Sequence, residues 1–166
     1  MGIPEKDKVM EDFSRLSTNW YRWAPGMGGG KVSVSTNCAD CAILFSTDDY
    51  SVHLRHERDW WVVDTVNDRG QRRNDAARFS NFDMTEKYLI WDWATTARSD
   101  LASGPLGADL ARQGYAPGVE VSKAEAGYEI CLNDECAVLS SVNATIFSHL
   151  MSKSVDEIEW MVTKGL

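Results

Sequence analysis

One order of signals occurs twice along this chain, and that repetition restricts the folds open to it more than any other feature. Trp23-Ala-Pro-Gly26 is echoed by Tyr115-Ala-Pro-Gly118. The first is followed by the strand-like Lys31-Val-Ser-Val-Ser35 and the second by Val119-Glu-Val-Ser122, with an extra Met27-Gly28-Gly29-Gly30 in the first copy. Tyr50-Ser-Val-His-Leu54 then matches Tyr128-Glu-Ile-Cys-Leu132, both alternating apolar and polar as half-buried strands do. Phe79-Ser80 precedes Trp91 much as Phe147-Ser148 precedes Trp160. Between them lie two helix starts of capping-box form, Asp83-x-x-Glu86 and Ser154-x-x-Glu157.

Each copy reads as helix, antiparallel strands, helix. The first, over residues 1–102, is predicted as a helix at 5–19, strands at 31–35, 41–46, 50–57 and 60–66, and a helix at 84–101. The second, over 103–166, is predicted as a short helix at 106–113, strands at 118–122, 127–132 and 136–141, and a helix at 154–164. Leu89, Trp93, Ala97 and Leu101 recur at helical spacing in the first copy, as do Ile158, Met161 and Val162 in the second. A polar loop, Asn67 to Asp75, has no counterpart in the second copy. The fold class is α+β, with helices packed on antiparallel sheet. A chain of 166 residues with 43% hydrophobic content can bury one shared core, so the two repeats are expected to form one unit.

The formal charge is −8, and it is uneven: residues 1–98 carry 13 basic and 15 acidic side chains, residues 99–166 carry 4 and 10. An acidic protein repels phosphate backbones and anionic lipid headgroups, which argues against nucleic acid and membrane surfaces as partners. The first residues, charged from Glu5 onward, do not make a signal peptide, Lys6 stands where a myristoylation signal wants Ser or Thr, and no run approaches the roughly 20 apolar residues of a membrane span. The expected compartment is the cytoplasm.

No constellation of reactive groups converges in the sequence. His53 and His56 sit three apart on one predicted strand, so they face opposite sides, and His149 has no neighbouring nucleophile. No catalytic residue, cofactor or metal ligand is therefore assigned. Gly26 to Lys31 fails as a phosphate cradle, because Pro25 and Val32 occupy places that a Walker loop needs for Gly and Ser or Thr, and because it enters a strand and not a helix. It reads either as a flexible connection or as a slim protruding loop able to enter a partner's cleft. Cys38-x-x-Cys41 and the pair Cys131 and Cys136 read as reduced thiols near strands in a cytosolic chain; a four-thiolate zinc site is the alternative, and Cys131 and Cys136 could also bridge a hairpin turning at Leu132 to Glu135 in an oxidising compartment. Asp48-Asp49 and Asp134-Glu135 suit hairpin turns and could also join an acidic docking surface. Of the adjacent Trp60 and Trp61, one should face the core and one outward, where a tryptophan anchors interfaces.

At Phe79-Ser-Asn-Phe-Asp-Met-Thr-Glu-Lys-Tyr-Leu-Ile-Trp91, and at the Ala-Pro-Gly turns that open each strand set, the sequence resembles the immunity protein 61 family of bacterial polymorphic toxin systems. That family is linked to the immunity factor of the tuberculosis necrotizing toxin, an NAD-destroying enzyme. The resemblance implies a cytoplasmic antitoxin that covers the catalytic cleft of its toxin in a one-to-one complex. It carries no functional residues with it. The contacts expected from the residues themselves are Met27, Gly28, Gly29, Gly30, Lys31 and Trp60. The rival expectation is a small-molecule-binding or hydrolytic domain with a pocket between the repeats.

Overall fold

The structure is a computed structural model that describes residues 11–164. In chain order its elements are α1 (Ser14–Trp23), a 3₁₀ turn (Ala24–Met27), β1 (Ser33–Ser35), β2 (Ile43–Ser46), β3 (Ser51–Glu57), β4 (Trp60–Val66), β5 (Arg72–Phe79), α2 (Phe82–Ala97), α3 (Ser99–Ala102), α4 (Ala108–Gln113), β6 (Glu120–Ala124), β7 (Gly127–Leu132), β8 (Glu135–Leu139), α5 (Ser141–Ser148) and α6 (Val155–Lys164). The α+β class holds. Residues 5–10 of the predicted first helix lie outside the described residues, and the described part runs on past Asn19 to Trp23.

All eight strands join one antiparallel sheet in the order β1-β2-β3-β4-β5-β8-β7-β6. Two meanders meet in its middle, the first running inward from β1 to β5 and the second inward from β6 to β8. Their seam is short: Arg78 pairs with Val138 and Phe79 with Ala137, and Ser80 extends it by donating its N–H to Cys136 O at 2.9 Å and receiving the Cys136 N–H on its Oγ at 2.8 Å. Each half keeps the order helix, strands, helix, but the repeat is not reproduced residue by residue. Phe79 ends a strand, whereas its counterpart Phe147 lies inside α5, a helix that the sequence reading did not anticipate.

Strand β5 is a second departure. Its first four residues belong to the predicted polar loop and are exposed, yet they continue the ladder through Thr65–Arg73 and Val66–Arg72. Without an apolar alternation they give no strand signal. The sheet imposes the strand, with a bulge between Val63 and Thr65 that puts Asp64 where Asp75 N–H can reach it at 2.8 Å.

Alternation sends Phe45, Val52, Leu54, Trp61, Val63, Ala77 and Phe79 to the face covered by helices. Helix α2 lies across that face and packs also against α1 and α6, so it is buried on nearly every side rather than on one stripe. Trp20 and Phe45 close on Trp93 with ring centroids 4.9 Å away from it, and Phe79, Tyr88 and Phe147 make a second aromatic cluster under the seam. Lys87, buried on α2, donates to Met151 O at 2.9 Å and pairs with Asp83 at 3.2 Å.

One predicted helix start holds and one moves. Ser154 and Glu157 exchange the two reciprocal capping bonds at 3.0 and 2.8 Å. At α2 the cap is Asn81, whose Oδ1 accepts Met84 N–H at 2.8 Å; Asp83 sits inside the first turn and pairs with Lys87 instead.

Candidate functional site

The glycine-rich run follows the 3₁₀ turn, where Pro25 occupies an early helical position and Gly28 closes the turn in the left-handed region at φ 77°. It then folds down onto the turn between β2 and β3. Gly29 O accepts Asp48 N–H at 2.9 Å, and Asp48 Oδ2 accepts Lys31 N–H at 3.2 Å. Glycine is required where this contact is tightest: a Cβ on Gly29 would stand 2.9 Å from Thr47 Cβ, and Gly30 combines φ 87° with Asp48 against the same position. Gly28 faces open space, Lys31 is exposed and Met27 is half-buried.

Beside this loop opens a cavity of about 460 Å³, lined by Met27, Gly28 and Gly29, by Thr47, Asp49 and Tyr50 of the hairpin turn, by Asn67 and Asp68 after β4, and by Asp92, Trp93 and Thr96 of α2. Three carboxylates line it and no basic side chain does. Asp92 is half-buried at its inner end and also borders two smaller hollows, one with Tyr50, Tyr88 and Arg73 and one with Thr95 and Asn143. Burial raises its pKa to about 6. Tyr50 is pushed upward too, by burial first and by the Asp92 charge second. The indole N–H of Trp93 is buried without a hydrogen-bond partner among the described residues.

The main cavity is thus lined only by residues of the first half, not by both repeats, although Asn143 reaches the two smaller hollows from the second. Asp49 was legible as a turn carboxylate. Asp92 was missed, although it is the one charge inside the apolar run from Tyr88 to Ala94, and such a charge is costly to bury for packing alone.

Trp60 stands apart from the loop. Trp61 faces the core and Trp60 the other side of the sheet, half-buried, with the Arg78 guanidinium 5.3 Å from its ring centre. The loop meets β3 at its first residue and Trp60 at its last, so about 20 Å of strand separates them. Exposed apolar surface occurs elsewhere, at Tyr21 of α1 and at Trp160 of α6, which is 52% exposed.

The histidines do not assemble. His53 points to the outer sheet face, His56 on the opposite face packs against Trp61 with tilted rings 4.7 Å apart, and His149 Nε2 lies 2.7 Å from Gly114 O. On the outer face Asp64, 1% exposed, accepts Arg55 Nε at 2.7 Å, Arg72 at 3.1 Å and Asp75 N–H at 2.8 Å. Burial alone would raise its pKa, but these three donors outweigh it and hold Asp64 below the usual carboxylate range.

The cysteines correct the expectation of free thiols. Cys38 is bonded to Cys41 and Cys131 to Cys136. The second pair is explained by register: Asn133 and Asp134, both at positive φ, make a two-residue turn that sets Cys131 directly opposite Cys136, with Cα atoms 4.1 Å apart. A joint four-thiolate site is excluded by topology, since five strand spacings, about 24 Å, separate β2 from β7.

The profile of the immunity protein 61 family matches residues 28–162. The chain belongs to the immunity protein 61 family. Membership implies an antitoxin role exerted by binding a toxin, and an inhibitor rather than an enzyme. Among solved structures, this family member is similar to Rv3902c from M. tuberculosis, with a TM-score of 0.69, 14% sequence identity, and coverage of 94% of this chain and 91% of the other. At that identity the likeness is one of fold. No curated protein matches the chain. No helix among the described residues is long and apolar enough to cross a membrane.

Proposed function

We propose that this immunity protein acts in the cytoplasm as the antitoxin of an NAD-consuming glycohydrolase, binding it one to one and covering its active site. The observation that supports this is the cavity beside the glycine-rich loop, which offers three carboxylates and no cation. An enzyme that holds an anionic dinucleotide presents a positive cleft, and an acidic inhibitor is steered into it. The loop from Met27 to Lys31 is slim and open at Gly28, so it can enter such a cleft while Asp49, Asp68 and Asp92 meet its basic rim. Trp60 makes a second contact. An interface of ordinary size covers about 800 Å² per partner, a patch roughly 30 Å across, so to take in Trp60 the toxin has to reach from the loop end of β3 onto the outer sheet face.

Co-expression with the product of the adjacent gene, as the candidate toxin, tests the reading. The toxin should co-purify at one copy per copy, and cells should survive with their NAD intact. A toxin that neither co-purifies nor is neutralised refutes the antitoxin role. A toxin that is neutralised but never depletes NAD refutes only the choice of target.

The cavity supports a second reading, because its volume is within the range of small-molecule sites. A cationic ligand that raises the melting temperature in a saturable manner would favour that reading.

A further inference from the structure

On the outer sheet face, away from the glycine-rich loop, the segment before β2 brings Cys38, Asp40 and Cys41 over His53 of β3. One donor atom from each lies within 4.8 Å of the others. We propose that, once the Cys38–Cys41 bond is reduced, these four residues form a tetrahedral site for a zinc ion.

The distances support it. With Zn–S near 2.3 Å and Zn–N or Zn–O near 2.0–2.1 Å, the edges of a tetrahedral site are about 3.3–3.8 Å. Cys38 Sγ stands 3.4 Å from Asp40 Oδ1, Asp40 Oδ1 3.9 Å from His53 Nδ1, and His53 Nδ1 4.0 Å from Cys41 Sγ. Of the six edges, Cys38–Asp40 therefore already has the length of a zinc site, and Asp40–His53 and His53–Cys41 exceed it by about half an ångström. The bonded sulfurs are the edge that has to open, and a C-x-x-C turn with Cα atoms 5.4 Å apart is a spacing that zinc sites use.

The surroundings are also those of a ligand set. His53 Nε2 is 3.0 Å from Ser51 Oγ, so a proton held there leaves the Nδ1 lone pair turned toward Cys41 and Asp40. Arg72 Nη2 holds Asp40 Oδ2 at 3.2 Å, which leaves Oδ1 for the metal. Two thiolates and one carboxylate around a divalent ion leave a single negative charge, and the Arg72 guanidinium offsets it. The second cysteine pair has only Glu129 beside it and no nitrogen donor.

Reduction by a phosphine passes two electrons to the sulfurs, the phosphine takes oxygen from water, and the two protons of that water end on the thiols. Metal binding then releases those protons. A reducing cytoplasm favours the same dithiol state, but the test does not depend on the compartment.

The test is titration of the full chain with cobalt(II), as a spectroscopic stand-in for zinc, after phosphine reduction. Wild type should bind one equivalent with the d–d and thiolate charge-transfer bands of tetrahedral cobalt, zinc should displace it, and unreduced protein should give no such bands. C38S and H53A should weaken binding at least tenfold, as should D40N, which lies at an exposed side chain and spares the fold. C131S/C136S should bind as wild type does. The site is refuted if the reduced wild type shows no tetrahedral bands, if unreduced protein shows them, if they persist unchanged in C38S, H53A and D40N, or if they vanish in C131S/C136S.

Discussion

Across the seam of the sheet, the Asn81 side-chain amide donates to Glu135 Oε2 at 3.0 Å, while its Oδ1 accepts Met84 N–H as the cap of α2. One side chain thus starts the central helix and ties the first meander to the second. Asn81→Ala should lower stability by about 2 kcal/mol, from a lost cap and a lost bond to a charged group. Asn81→Asp keeps the cap but sets two carboxylates together. It should recover less than the whole loss in urea unfolding, and full recovery would show that the Glu135 contact contributes nothing.

Asp64 governs the acid side of stability. Its pKa is depressed in the folded state, so its contribution is fully present above the ordinary carboxylate value of 3.8 and is lost as pH falls through the depressed value. Asp64→Ala removes the shared partner of Arg55 and Arg72 and should cost roughly 3 kcal/mol at neutral pH. The gap from wild type should close in strong acid, where the wild-type carboxyl is also neutral, and a gap constant with pH would contradict the assignment.

Glu86 and Asp92 act in the opposite sense. Burial raises Glu86 to about 7, helped by Asp83, Glu159 and Asp12 against the pull of Arg15, and burial raises Asp92 to about 6. Between their unfolded and folded values the native state binds more protons, so stability contributed by these groups falls as pH rises from about 4.5 to 7. Glu86→Gln should flatten that decline and gain stability at pH 8, which melting curves across the range would show.

Charge around the cavity should set the rate of toxin association. Asp49→Asn with Asp68→Asn should slow association about tenfold at low salt and reduce its salt dependence, with dissociation little changed. Asp92→Asn, deeper in, should chiefly speed dissociation. Stopped-flow measurement with the purified toxin separates the two effects, and unchanged rates in both variants would move the interface elsewhere.

The glycines give a steric counterpart. Gly29→Val drives a side chain into Thr47 and should lift the loop from the hairpin, weakening toxin binding more than tenfold, or about 1.4 kcal/mol. Gly28→Ala meets nothing, and it should cost the fold only about 1 kcal/mol for its left-handed backbone. Equal affinities for the two variants would show that the loop's seating is irrelevant to recognition.

Much of the fold was legible wherever a local period or a turn signal existed. Strands β3, β4 and β7, the hairpin at Asn133-Asp134, the capping box at Ser154 and the opposite facing of Trp60 and Trp61 all follow from short-range chemistry. Strand β5 was not legible, because Arg72 to Asp75 carry no apolar alternation and are recruited by the ladder of β4. Helix α5 hid because its last residues, Phe147-Ser148, matched Phe79-Ser80, which stand at the end of a strand in the first half. The candidate site was half legible: the glycine run and Asp49 stand out locally, but Asp92 joins them only through the crossing of α2 over the sheet. The closeness of His53 to Cys38, Asp40 and Cys41 is likewise a property of strand pairing.

The inward course of both meanders sets an order on biosynthesis. The neighbour of β5 is β8, so the edge formed by Phe79 waits for some 57 further residues to leave the ribosome before Ala137 can cover it. During that interval the nascent half-sheet offers an open ladder to other chains. Arg72, Arg73 and Asp75, placed at the start of β5 beyond the reach of β8, put fixed charges along that border. Because β8 never covers this part of β5, the border stays open in the finished molecule as well, and the same charges blunt it there.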